Sequence, residues 1–126
     1  MLPLTVQLPD GRFVADRALR TTHVHERVQG WLGRASVEPG EGLLIAPCGS
    51  IHTMGMAFAI DVAFLDRQGR VLKLSPQVRP GRLAWGPWRA FLLPWAVMVL
   101  ELPAGAIAAS GLAVGLRLRL ESPEPR

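Results

Sequence analysis

The chain predicts a mainly β fold, a compact β-sandwich or distorted barrel of antiparallel strands with one early amphipathic α-helix and short helical turns. Three observations lead there. Thirteen glycines and 11 prolines in 126 residues divide the sequence into short apolar runs. Only one stretch carries helical spacing, whereas the most apolar stretch alternates with period two. A doubly wound α/β fold would need more crossover helices than these runs supply.

The first runs, 4–8 and 13–19, surround Pro9-Asp10-Gly11, a turn signal that predicts a hairpin. Val24, Val28, Trp31 and Leu32 then fall on one stripe of a helix, with Thr21 or Thr22 as its cap and Gly33 as its end. A polar loop over 34–42 precedes a short buried strand over 43–46, and Pro47 to Ser50 turns the chain into the central run 51–66. In that run Met56, Phe58, Ile60, Val62 and Phe64 are bulky, while Ala57, Ala59, Asp61 and Ala63 are small or charged. One face is expected to pack a core and the other to leave room beside Asp61. Asp66-Arg67-Gln68-Gly69 is a turn, so 58–74 predicts a second hairpin. Prolines and glycines keep 75–93 irregular. A strand over 96–102, helical turns over 104–110, and a last strand with Leu116, Leu118 and Leu120 facing in complete the chain, and 122–126 is expected to fray.

Size sets one domain, 1–126, large enough for a core without disulfides. Cys48 is the single cysteine, which excludes an intrachain disulfide and a multi-cysteine metal site and suits a reducing compartment. The first ten residues lack a secretory pattern, so cytoplasmic localisation is the expectation. The segment 91–109 is apolar enough to suggest a membrane span, but Pro94, Pro103 and Gly105 interrupt it, and it reads as buried strand plus turn. The net charge of +4 is dispersed, which argues against nucleic acid as the partner.

The order of motifs carries a family resemblance. Glu26-Arg27, Gly30 to Arg34, Gly42-Leu43-Leu44, Ile60 to Asp66, Gly69-Arg70-Val71 and Leu100-Glu101-Leu102 before Gly105 resemble the bacterial family catalogued as domain of unknown function 192. The resemblance covers about 18–120 and implies a small β-rich domain with no established activity. Many members resemble exported proteins and carry Trp-Met-Lys-Asn-Thr and a proline where this chain has His52 to Met56 and Ala59. The chain is similar to the leaderless branch, which the resemblance links to envelope or pilus gene neighbourhoods.

Asp61 is the sharpest candidate for chemistry, because a carboxylate in an apolar strand needs a partner, and Arg34 or loop amides could supply one. Glu101 is its counterpart in a second apolar run. Cys48 and His52 are close enough in sequence to form a thiolate–imidazole pair, although no third orienting residue is evident. His23, His25 and the methionines match no metal-ligand spacing, so neither metal nor cofactor is expected. The segment 79–89 interleaves Arg79, Arg82 and Arg89 with Trp85 and Trp88, a mixture suited either to lidding a core or to gripping a partner.

The reading that follows is an accessory or binding module. It engages a small ligand or a protein through the 52–61 edge and the 79–89 loop, with His52, Thr53, Asp61, Arg34, Arg82, Trp85 and Trp88 as contacts. The alternative is a small hydrolase-like enzyme using Asp61 and His52, with Cys48 as a further candidate, and the third is weak nucleic-acid binding through Arg79, Arg82, Arg89, Arg117 and Arg119. Partner binding predicts exposed tryptophans, and catalysis predicts that Asp61 and His52 converge.

Overall fold

In a computed structural model, residues 1–123 form a curled seven-stranded sheet with a two-stranded ribbon against its outer face. The strands are β1 (Leu2–Gln7), β2 (Phe13–Arg20), β3 (Glu41–Ile45), β4 (Ser50–His52), β5 (Ile60–Asp66), β6 (Val71–Val78), β7 (Leu83–Trp85), β8 (Val97–Pro103) and β9 (Arg119–Glu121). Three short helices intervene, α1 (Val24–Gln29), α2 (Arg89–Leu92) and α3 (Ala106–Ser110), with a 3-10 turn over Pro94–Ala96. The large sheet has the order β6-β5-β8-β3-β2-β1-β9, and β4 pairs with β7 in the ribbon.

Both predicted hairpins form, β1–β2 and β5–β6. Every pairing of named strands is antiparallel except β2–β3, where α1 and its loop carry the chain back to the same end before β3 starts. The sheet curls until its two margins touch. Gly115, Leu116 and Leu118, just before β9, exchange backbone hydrogen bonds of 2.8–2.9 Å with Gly69 and Val71 at the start of β6. A Cβ on Gly69 would lie 2.7 Å from the Leu118 carbonyl oxygen, so this closure requires glycine. It also shortens the last strand, since Leu116 and Leu118 bond to the β5–β6 turn and only 119–121 pair regularly with β1.

Alternation sorts the core into two layers. Ala63, Leu65, Leu100 and Leu102 face the inside of the curl with Leu4, Val6 and Leu44. Val62, Phe64, Val97 and Val99 face outward, beneath Trp31, Ala84 and Ala90. Both faces of β5 are therefore buried, and the open side expected beside Asp61 does not exist. The central run is also broken: β4 ends at His52, and β5 begins only at Ile60.

The early helix is shorter than its spacing predicts. It ends at Gln29, leaving Val24 and Val28 exposed, while Trp31 is buried by the turn that follows. Gly30, at φ +51°, replaces Gly33 as the stop, because the chain there crosses directly over Glu101. The carboxylate of Glu26 accepts the N–H groups of Thr22 (2.8 Å) and His23 (3.1 Å), taking the capping part expected of Thr21 or Thr22. The strand expected over 96–102 forms as β8, beginning at Val97, and the segment 91–96 before it is the end of α2 and an exposed 3-10 turn. Of the tail expected to fray, 124–126 lie outside the described residues.

Candidate functional site

The surface that stands out grows from an inverted burial pattern. In β7 the order Leu83-Ala84-Trp85 places the smallest side chain inward and the two large ones in solvent. The same inversion recurs in α2, where Ala90 is buried and Phe91 and Leu92 are exposed. Only small residues fit there, because the ribbon and α2 run close to one another: a Cβ on Gly49 would sit 3.1 Å from that of Ala90. The exposed side is a ledge in which Trp88 is 75% exposed, Phe91 67%, Trp95 58% and Trp85 51%.

The ledge is held firmly from beneath. Gly86 donates its N–H to the Gly49 carbonyl at 3.0 Å, and the Lys73 ammonium donates to the Trp85 carbonyl at 2.8 Å. Trp85 stacks on Phe91 with ring centres 5.9 Å apart. Thr53, fully buried, ties down the loop leading into β7: its N–H donates to the Arg82 carbonyl (2.8 Å), its hydroxyl accepts the Arg82 N–H (2.9 Å), and the hydroxyl donates to the Arg79 carbonyl. Thr53 thus acts as a brace for the loop. Lys73, which bonds the Trp85 carbonyl, and Arg89, at the start of α2, bring positive charge to the ledge.

The other candidates are placed apart. Asp61 is fully buried, and its two oxygens accept the backbone N–H groups of Gln77 and Ile107, each at 2.8 Å. Arg34 instead forms a forked pair with Glu41 at 2.8 and 3.2 Å. His52 lies exposed in the ribbon, against the outer layer, and its Nδ1 accepts the Met54 N–H at 3.3 Å. Asp61 points from β5 into the opposite, inner layer, where α3 packs, so the sheet separates the pair on which hydrolysis would depend. Cys48 donates to the Ser50 carbonyl rather than to His52. Burial, reinforced by the Glu101 carboxylate, raises the thiol above its ordinary value and leaves it a poor nucleophile. Among the described residues no three metal-ligating side chains come together.

Glu101 has the most perturbed environment. It is 4% exposed between Leu43 and Val62, with Gly30 overhead, and its Oε1 has no hydrogen-bond partner among the described residues. Loss of solvent pushes its pKa up to about 7.

Sequence reasoning singled out Trp85 and Trp88 but missed Phe91, Leu92 and Trp95, which belong to the same ledge. The available signal was Pro94 next to Trp95, which rules out a regular buried strand at that point.

The curled seven-stranded sheet places the chain among small, mainly β folds. It belongs to the family of domain of unknown function 192 (DUF192), described as "Uncharacterized ACR", whose model matches residues 11–120. No curated protein matches the chain. A protein of unknown function from Novosphingobium aromaticivorans DSM 12444 is similar in structure, with a TM-score of 0.69 and 22% identity over 93% of this chain and 83% of that one. A Sinorhizobium meliloti 1021 protein with a provisional transcription-regulator label has a TM-score of 0.73 and 20% identity over 92% and 90% of the two chains. These likenesses establish the shared fold. Among the described residues no helix is long and apolar enough to cross a membrane.

Proposed function

We propose that the protein is a docking module that grips an acidic, apolar-grooved protein partner through the ledge of Trp85, Trp88, Phe91 and Trp95. The observation that carries this reading is the inverted pattern in β7 and α2, where alanines fill the core contacts and Trp85 and Phe91 are left in water, flanked by exposed Trp88 and Trp95. Isolated exposed apolar residues are ordinary, but a contiguous ledge of them is a mark of interaction surfaces. Tryptophan and arginine are the side chains that most often dominate binding energy. A partner with acidic groups around an apolar groove complements the cations beside the ledge, Lys73 under Trp85 and Arg89 in α2. The stacked rings and the Thr53 brace reduce the ordering cost of binding.

A photocrosslinking residue at position 88, compared with one at exposed Val114, tests this in the native host. The expected result is one discrete heterologous protein captured from 88 and not from 114. Once purified, that protein should bind the wild type at least tenfold more tightly than Trp88→Ala or the charge-reversed pair Arg82→Glu, Arg89→Glu. Equal capture from both positions, capture only of a second copy of this chain, or loss of all capture in favour of sedimentation with vesicles would reject the reading.

A further inference from the structure

The inner layer of the curled sheet is not covered everywhere. Where β2, β3 and β8 meet the segment around β9, a groove of about 1030 Å³ opens to solvent. Its floor includes Leu44, Met98 and Leu118, all members of the inner core. Its rim is charged and one-sided: Arg20, Arg67, Arg117 and Arg119 line it against a single carboxylate, Glu121.

Two of these arginines have structural duties. Arg117 donates from Nε to the Gln68 carbonyl at 3.1 Å, and Arg119 lies 3.4 Å from Glu121. The guanidinium groups of Arg20 and Arg67 make no hydrogen bond or ion pair among the described residues, although both line the same groove. They come from distant parts of the chain, one at the end of β2 and one in the β5–β6 turn, and curling of the sheet brings them to one opening. An apolar floor beneath unengaged guanidinium groups is complementary to a ligand with two unlike ends. Guanidinium groups favour carboxylate and phosphate because their planar forks match both oxyanions.

We propose that this groove binds an anionic amphiphile, a carboxylate or phosphate head carried on an aliphatic chain. The head sits between Arg20 and Arg67, and the chain lies along Leu44, Met98 and Leu118. This site is distinct from the partner ledge and does not depend on it, although Trp95 stands at the border of both.

The test is titration of the purified full chain with decanoate, decyl phosphate, inorganic phosphate and neutral decyl maltoside, each below its micelle-forming concentration. Decanoate and decyl phosphate should bind, inorganic phosphate and decyl maltoside should bind at least tenfold more weakly, and octanoate should be weaker than decanoate on the order of tenfold. Arg20→Gln with Arg67→Gln should lower affinity for the anionic pair at least tenfold while leaving the melting point unchanged, since neither side chain holds the fold. Added salt should weaken binding of the head. Equal affinity for the neutral amphiphile, indifference to the double substitution, or no binding of either anionic amphiphile would overturn the assignment. Flotation with phosphatidylglycerol vesicles separates the two sources of such a head. Monomer binding accompanied by flotation assigns it to bilayer lipid, and monomer binding alone assigns a free acid or phosphate. Flotation without monomer binding also overturns the proposal.

Discussion

Gln77 has a backbone φ of +49°, and this turn of the chain aims its N–H at a carboxylate oxygen of Asp61, 2.8 Å away. The register of β5 and β6 shifts at this point: Ile60 faces Val78 and Val62 faces Ser75, so β6 carries an extra residue at Pro76–Gln77. Asp61 satisfies the bulge with one oxygen and the start of α3 with the other, through the Ile107 N–H at 2.8 Å. It joins three elements that share no direct strand pairing at that point.

Removing that carboxylate should be costly, whereas the Gln77 side chain should matter little. Asp61→Ala leaves two buried N–H groups unpaired and is expected to destabilise the fold by about 2–5 kcal/mol. Gln77→Gly keeps the N–H and accepts the positive φ, so its urea midpoint should stay near that of the wild type. Paired urea unfolding curves check both, and a wild-type midpoint for Asp61→Ala would show that the carboxylate is not a structural hub.

Glu101 makes stability depend on pH in the direction opposite to an ion-paired carboxylate. Its pKa is raised from an ordinary 4.5 to about 7 by burial, so over that interval the folded chain holds a proton that the unfolded chain has released. Stability from this group is complete below about 4.5 and is lost as pH rises through about 7, a change of roughly 3 kcal/mol. Glu101→Gln should abolish that decline. Melting points at pH 5.5 and 8 for both proteins give the answer, and an equal decline in the two would assign it elsewhere.

The thiol of Cys48 should be sluggish. With its pKa raised by burial, it should alkylate with iodoacetamide at pH 7 more slowly than free cysteine, and unfolding in urea should restore the rate. Alkylation of the native protein at least as fast as that of free cysteine would revive the thiolate reading.

Gly86 is confined by the Gly49 carbonyl. A Cβ at position 86 would collide with that backbone oxygen, so Gly86→Ala must push the ribbon away from the sheet or break the 3.0 Å bond between the two residues. The expected loss is about 1–3 kcal/mol. Because the ledge rides on this ribbon, Trp85 fluorescence should change as well. Trp88→Ala, in contrast, should leave the melting point within about a degree of wild type, since its ring is exposed and carries no fold contacts of weight.

The sequence by itself determined the class of fold, both hairpins and the glycine-bearing turns, because these depend on local quantities: alternation of side chains, missing N–H groups at proline, and positive φ at glycine. It identified Asp61 as a residue in need of partners and Trp85 with Trp88 as a surface to watch. Tertiary structure alone decided which partners and which surface. Asp61 found Gln77 and Ile107, which are 16 and 46 residues away, and Arg34 found Glu41 instead. No periodicity encodes such pairings, because the curl of the sheet sets them. The length of α1 was decided by the crossing of Gly30 over Glu101, a long-range contact that overrides helical spacing. The exposure of the ledge was decided in the same way: in Leu83-Ala84-Trp85 alternation fixes two faces, but only the close approach of ribbon, α2 and sheet dictates that alanine, rather than tryptophan, is the one that fits inside.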